Sequence, residues 1–161
     1  MSRTPSRIQA EIRQTRPFAS RSQEAVVALL RTADRVRREI ADRLAPFEVT
    51  PQQYNVLRIL RGAGSEGLPT LEIAERMIED APGITRLIDR LEAKALVSRE
   101  RCPTDRRQVT CRVSRAGLKL LADVDRVVTE GDEVLGDHLS ERELDRLLDL
   151  LDKIRAGLAP K

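Results

Sequence analysis

Pro82-Gly83-Ile84-Thr85-Arg86-Leu87-Ile88-Asp89-Arg90-Leu91, then Val97-Ser98-Arg99-Glu100-Arg101 and Val109-Thr110-Cys111-Arg112-Val113, is the stretch that decides the fold. In its first part Ile84, Leu87, Ile88 and Leu91 recur at i, i+3, i+4 and i+7, which makes one apolar face of a helix. Asp80 or Ala81 stands as its cap and Pro82 in its first turn. The complementary face carries Gly83, Thr85, Arg86, Asp89 and Arg90. After Lys94 the helical period gives way to alternation. Val97 to Arg101 reads as one strand. Val109, Cys111 and Val113 alternate with Gln108, Thr110 and Arg112, a half-buried second strand. Between the strands, Cys102-Pro103-Thr104-Asp105-Arg106-Arg107 is a polar turn with two adjacent arginines. Two strands with a basic tip directly behind a helix-turn-helix are the layout of a wing.

Toward the N-terminus, a short helix runs from Thr70 as N-cap to about Met77, with Ile73, Ala74 and Met77 inward. Before it lies a Gly/Pro-rich loop, Gly62 to Pro69, and a well-marked helix. Thr50-Pro51-Gln52-Gln53 supplies an N-cap, a proline at the first helical position and the glutamine of a capping box. Val49 and Tyr54 stand as a hydrophobic staple, and Gly62 is the expected stop. A long helix from Ser20 or Ser22 to about Ala45 carries Val26, Leu29, Leu30, Ala33, Val36, Ile40 and Leu44 on one face, and Pro46 closes it. Residues 1–19, broken by Pro5 and Pro17, read as a flexible arm.

Toward the C-terminus, Ser114 caps a helix whose Leu118, Leu121, Val124 and Val128 stripe continues toward Leu135. Ser140 and Glu143 form a second capping box, with Leu139 and Leu144 as its staple. Leu144, Leu147, Leu148, Leu151, Ile154 and Leu158 continue the last stripe. A small winged domain cannot cover that much apolar surface, so the first and last long helices read as a dimerisation layer. The expectation is a mainly α chain with a two-stranded wing. Residues 1–19 are the arm, 20–48 a dimerisation helix, 49–114 the winged helix-turn-helix, and 115–161 the C-terminal dimerisation helices.

The composition agrees. Apolar residues make up 40% of the chain, while the aromatics are only Phe18, Phe47 and Tyr54, so aliphatic side chains must form the core. No apolar run approaches the roughly 18–20 residues that span a bilayer, and the arginine-rich N-terminus lacks the apolar segment of a secretory signal. A soluble, cytoplasmic protein is expected. From Ala81 to Lys119 ten Lys/Arg oppose four Asp/Glu, an excess of six positive charges. From Leu120 to Lys161 six oppose eleven, an excess of five negative charges. The basic middle suits a polyanion, or else is an ordinary solvated surface. Catalysis finds little support: His138 is the only histidine, no Cys/His spacing suits zinc, and no glycine-rich phosphate loop occurs. No cofactor is expected.

The order of elements, with the wing stretch Asp105-Arg106-Arg107, Gln108 to Arg112, Val113-Ser114, resembles the MarR family of winged-helix regulators. That family carries Asp-x-Arg, five residues, then Leu-Thr. Pro51-Gln52-Gln53-Tyr54-Asn55-Val56-Leu57 and Thr85-Arg86-Leu87-Ile88-Asp89-Arg90-Leu91-Glu92, followed by Leu96-Val97, support the resemblance. Ala95 departs from it, because the family usually has glycine there. The resemblance implies a homodimeric regulator of transcription that binds a pseudo-palindromic operator, as a repressor released by a small ligand. A helix reads base edges in the major groove with its N-terminal, outward residues; here those are Pro82, Gly83, Thr85 and Arg86, with Arg90 on the same face. By resemblance Arg107 enters the minor groove, Asp105 orients it, and Arg106 serves phosphate. Arg99, Arg101, Arg112 and Arg115 are further candidates for phosphate contacts. Arg37, Tyr54 and Arg58 are candidate ligand contacts.

Two readings stay open beside this one. Cys102 and Cys111 flank the wing turn, where Arg101 and Arg112 would lower a thiol pKa and suit a redox sensor; alternatively Cys111 is a small core residue. A winged helix can also serve as a protein-interaction module, although the arginine-rich wing argues against it.

Overall fold

The computed structural model describes residues 6–101, 109–129 and 133–158. The chain divides between Asp42 and Arg43 into two compact units. The first holds α1 (Arg7–Glu11) and most of α2 (Arg21–Leu44). The Ser20 hydroxyl accepts the Gln23 N–H at 3.1 Å and so caps α2 where the sequence placed its start. The segment read as a flexible arm contains the short helix α1. Glu11 accepts from Arg31 at 2.8 Å and Arg35 at 2.7 Å, which ties α1 to α2. The bond from Arg31, with Arg35 beside it, holds the Glu11 carboxyl below the usual carboxylate range. Val26, Leu29, Leu30 and Ile40 of α2 are exposed.

In the second unit a 3₁₀ turn, Ala45–Phe47, leads to α3 (Pro51–Gly62). Thr50 and Gln53 form the expected reciprocal capping box, at 3.2 and 3.0 Å. Val49 and Tyr54 are both buried in the core, as the staple requires. Gly62 is the last residue of the helix rather than its stop; the positive φ angles fall at Gly64 and Gly67. The loop after α3 contains a 3₁₀ turn, Gly64–Glu66, and a strand the sequence did not announce, β1 (Leu68–Pro69). Then come α4 (Thr70–Glu75), α5 (Ile84–Ala93), β2 (Val97–Arg101) and β3 (Val109–Val113). The sheet is antiparallel in the order β1-β3-β2: β2 and β3 pair as the expected two-stranded wing, and β1 adds a third strand. Leu68 faces Cys111 across one pair, and Arg99 faces Cys111 across the other. At Gly67 (φ 68°, ψ −170°) a Cβ would lie 2.4 Å from the Cys111 carbonyl oxygen, so only glycine lets β1 approach β3.

Thr70 begins α4 but does not cap it; Pro69 occupies the cap position, and the Thr70 hydroxyl lies 3.7 Å from Cys111 Sγ. Beyond the sheet are α6 (Arg115–Thr129), α7 (Glu133–Gly136) and α8 (Glu141–Leu158). Ser114 caps α6 by accepting the Gly117 N–H at 3.0 Å. Leu121 and Val124 of its stripe are fully buried, whereas Leu118 is exposed. At α8 the second capping box is only half made. Glu143 accepts the Ser140 N–H, but the Ser140 hydroxyl donates to Glu143 instead of receiving a backbone N–H. The core gathers Leu44, Val56, Leu57, Leu60, Ile73, Ile88, Leu91, Cys111, Leu121 and Val124, all without exposed surface.

Candidate nucleic-acid interface

The apolar spacing of α5 buries Ile88 and Leu91 completely and half-buries Ile84 and Leu87. The opposite side is thereby turned outward: Pro82, Gly83, Thr85, Arg86, Asp89 and Arg90 are all exposed. The helix starts at Ile84, later than the sequence suggested. Pro82 and Gly83 form a turn ahead of it, closed by the Ile84 N–H donating to the Ala81 carbonyl at 3.0 Å. The turn between α4 and α5 is pinned to α3, because the Asn55 side-chain oxygen accepts the Ile78 N–H at 3.0 Å. A surface cleft of about 270 Å³ lies along this face, lined by Gln52, Ala81, Pro82, Gly83, Arg86, Leu87 and Arg90. Gln52 was not singled out from sequence. Its one signal is its place in the first turn of α3, beside a capping glutamine but with no capping role of its own.

The C-terminus of α5 is fixed by a Schellman motif. The Leu96 N–H donates to the Leu91 carbonyl at 2.9 Å and the Ala95 N–H to the Glu92 carbonyl at 2.8 Å. Ala95 sits in the left-handed region at φ 55°. The chain then enters β2, so the angle from helix to wing is set within a few residues.

Two of the arginines expected at phosphates, Arg99 and Arg112, have partners within the protein. Arg99 reaches Asp89 at 2.5 Å and Glu92 at 2.6 and 2.8 Å. Those two bonds, to Glu92 first, hold the Arg99 guanidinium more firmly protonated than usual. Arg112 donates to the Ser65 carbonyl at 2.7 Å and to Glu100 at 2.6 Å. A phosphate role for either would have to displace these bonds. Arg115 is exposed at the start of α6, and Arg101 pairs with Val109 at the end of the hairpin. Asp105, Arg106 and Arg107, like Cys102, lie outside the described residues.

Tyr54 is buried, with its hydroxyl 3.3 Å from Asp125, a carboxylate also bonded by Arg61. The Arg58 guanidinium stands 5.7 Å from the Tyr54 ring centre. Burial pushes the Tyr54 phenol above its ordinary pKa. Arg37 is exposed on α2. Cys111 is fully buried, and burial pushes its thiol up; the Thr70 hydroxyl and the charge of Arg99 offset this only in part. Of the two readings of Cys111, the small core residue is the one this burial fits, and the thiol lowered by Arg101 and Arg112 is not. His138 is exposed in the turn after α7. Among the described residues no group of three His, Cys, Asp or Glu is placed to hold a metal ion, and no helix is long and apolar enough to cross a membrane.

A profile of the MarR family matches residues 49–109. A MarR transcription factor from Planctomyces limnophilus, of known crystal structure, is 44% identical with a TM-score of 0.66, over 84% of this chain and 98% of that one. The S. aureus MepR–DNA complex is 25% identical with a TM-score of 0.72, over 81% and 96%. A mutant E. coli MarR complexed with operator DNA is 24% identical with a TM-score of 0.75, over 86% and 99%, a likeness of fold. A Thauera aromatica protein described as regulatory for the hcr operon is 31% identical over 106 residues, 66% of this chain; the match spans 63% of that protein's length.

Proposed function

The chain belongs to the MarR family, and from that premise we propose that it is a cytoplasmic, homodimeric repressor that binds a pseudo-palindromic DNA operator and is released by a small ligand. Members of the family are transcription regulators, not enzymes. The observation that carries the DNA reading is the outward face of α5: Thr85, Arg86 and Arg90 exposed together, beside a cleft that Gln52, Pro82 and Gly83 help to line. In a major groove, Thr85 offers a methyl group to thymine and Arg86 a fork to guanine O6 and N7. Arg90, one turn further along, meets phosphate. The glycine at 83 lets the backbone approach. Asp105, Arg106 and Arg107 are assigned to the wing tip, with Arg107 in the minor groove, oriented by Asp105, and Arg106 on phosphate. MepR's capture with DNA supports the same use of this chain, at 25% identity.

Residues 49–114 form the DNA-reading unit in this reading, and residues 20–48 and 115–161 supply the dimer contacts. Support for dimerisation comes from the apolar side chains left exposed on α2 and α8, among them Leu30, Leu148 and Leu150. The effector is assigned to the region of Tyr54 and Arg58; Arg37, on α2, is a separate candidate contact. The Tyr54 hydroxyl is already held by Asp125, so a ligand there meets the ring and Arg58 first.

The test is selection of bound duplexes from a random DNA pool. A twofold dimer enriches an inverted repeat with half-site centres about 10 base pairs apart or a multiple of that. Recovery of no enriched sequence, with binding equal on every duplex, overturns the reading as a sequence-specific regulator.

A further inference from the structure

We propose that Arg99 is a positioning residue for the reading face: it neutralises the carboxylates of α5 and straps that helix to the first wing strand. The inference rests on the DNA-binding reading above. Alternation along β2 puts Arg99 on the same side of the sheet as Val97, which is 3% exposed, and opposite fully buried Cys111. That is the side packed on α5. From there one guanidinium holds two carboxylates three residues apart on the helix, Asp89 through Nη2, and Glu92 through Nη2 and Nε. The arginine is the most covered member of the trio, its side chain 24% exposed against 51% for Asp89 and 42% for Glu92. A planar fork can do this, whereas a lysine ammonium concentrates its charge at one point.

Charge explains why the strap matters. Within α5, Arg86 and Arg90 are balanced by Asp89 and Glu92, so the helix brings no net charge of its own to a polyanion. Adding Arg99 leaves an excess of one positive charge and draws both carboxylates toward the sheet. Without it, Asp89 stands on the exposed face beside Arg86 and Arg90, where it offsets their charge and repels an approaching phosphate. Exposed ion pairs of this kind contribute little to folding, so the loss is expected in DNA affinity rather than in the fold.

The experiment is fluorescence anisotropy of the full chain with a labelled duplex from the selected pool, over a salt series, with a thermal melt by circular dichroism as the folding control. Arg99→Gln is expected to weaken binding about tenfold, the scale of one poorly screened like-charge contact at a protein surface. Arg99→Lys falls between, keeping the charge and losing the fork. Adding Asp89→Asn to Arg99→Gln recovers most of the lost affinity, because the unpaired charge is gone. If Arg99→Gln does not melt cooperatively, Arg99→Lys with and without Asp89→Asn carries the same comparison. The inference is overturned if the charge-losing variant binds like the wild type. It is also overturned if the second substitution restores nothing while the salt slope drops by about one charge, the signature of a direct phosphate contact. A wild-type chain that binds no duplex at all overturns both this inference and the reading it rests on.

Discussion

The region around α3, α5 and the sheet and the last helix, α8, are both rich in leucine, yet they use it oppositely. Leu57, Leu60, Ile88 and Leu91 have no exposed surface. In α8 no residue is buried; Leu148, Leu150 and Ile154 stand 46–58% exposed and Leu158 78%. An isolated helix of this length is marginal in water, and most helical stability in proteins comes from a packed apolar face. The first region therefore holds its fold from within the chain. The second carries an apolar face the chain leaves open, which is where the proposed second copy would add its stabilisation.

Three substitutions separate these cases. Leu57→Ala removes a buried side chain from a closed core and should cost about 2–5 kcal/mol. Urea unfolding measures it, and the loss should not depend on protein concentration. Replacing both Leu150 and Ile154 by Glu should barely change the winged domain but should dissociate the dimer. Each apolar side chain withdrawn from an interface forfeits up to about 1.5–3 kcal/mol. Light scattering at micromolar concentration reads this directly; a double variant that keeps the mass of two chains would mean that α8 is not the dimer contact. Arg86→Ala should alter neither melt nor mass. Its expected loss is about 1–3 kcal/mol on the selected operator, with relaxed preference at one base pair. An equal loss on random DNA would make Arg86 a phosphate contact instead.

What could be read in the sequence was what neighbouring residues decide among themselves. The capping box at Thr50 and Gln53, the staple of Val49 with Tyr54, and the apolar face of α5 all lie within one or two helical turns, so their spacing announces them. The outward set Thr85, Arg86 and Arg90 followed from the same spacing, as the complement of the buried face. What escaped depends on partners far along the chain. β1 is two residues long, includes a proline, and becomes a strand only because Cys111 and Thr110 lie opposite it; a proline can occupy such an edge. Arg99 and Arg112 looked like spare cations until the hairpin register brought Asp89, Glu92 and Glu100 within reach. Gln52 joined the reading face only through the turn that Asn55 pins. For Cys111 the reading as a small core residue holds: burial, which counting nearby arginines omits, pushes the thiol up and prevails.

The smallest expected effect concerns Ala95, where the MarR family usually has glycine. The structure gives the physical reason for that preference. Ala95 adopts φ 55° as the first residue past the α5 C-cap, and the Schellman bonds from Leu96 to Leu91 and from Ala95 to Glu92 require that turn. The segment beyond is fixed as well: the Ser114 hydroxyl donates to the Ala95 carbonyl at 2.7 Å, and the Ser114 N–H donates to the Leu96 carbonyl at 3.0 Å. The backbone is thus held from both sides, and the alanine Cβ bears a left-handed conformation that costs roughly 1–2 kcal/mol in an L-residue other than glycine. Ala95→Gly removes that cost but gives the unfolded chain more freedom to lose. The two partly offset, leaving a net gain of about 0.5–1 kcal/mol. Ala95→Val should move stability the other way, because a β-branched residue tolerates positive φ poorly. Denaturant midpoints of the three proteins should run Gly above Ala above Val, with unchanged slopes. A midpoint that falls in Ala95→Gly would mean that the helix end does not take the left-handed turn, and that the angle from α5 into the wing is set by something other than this cap.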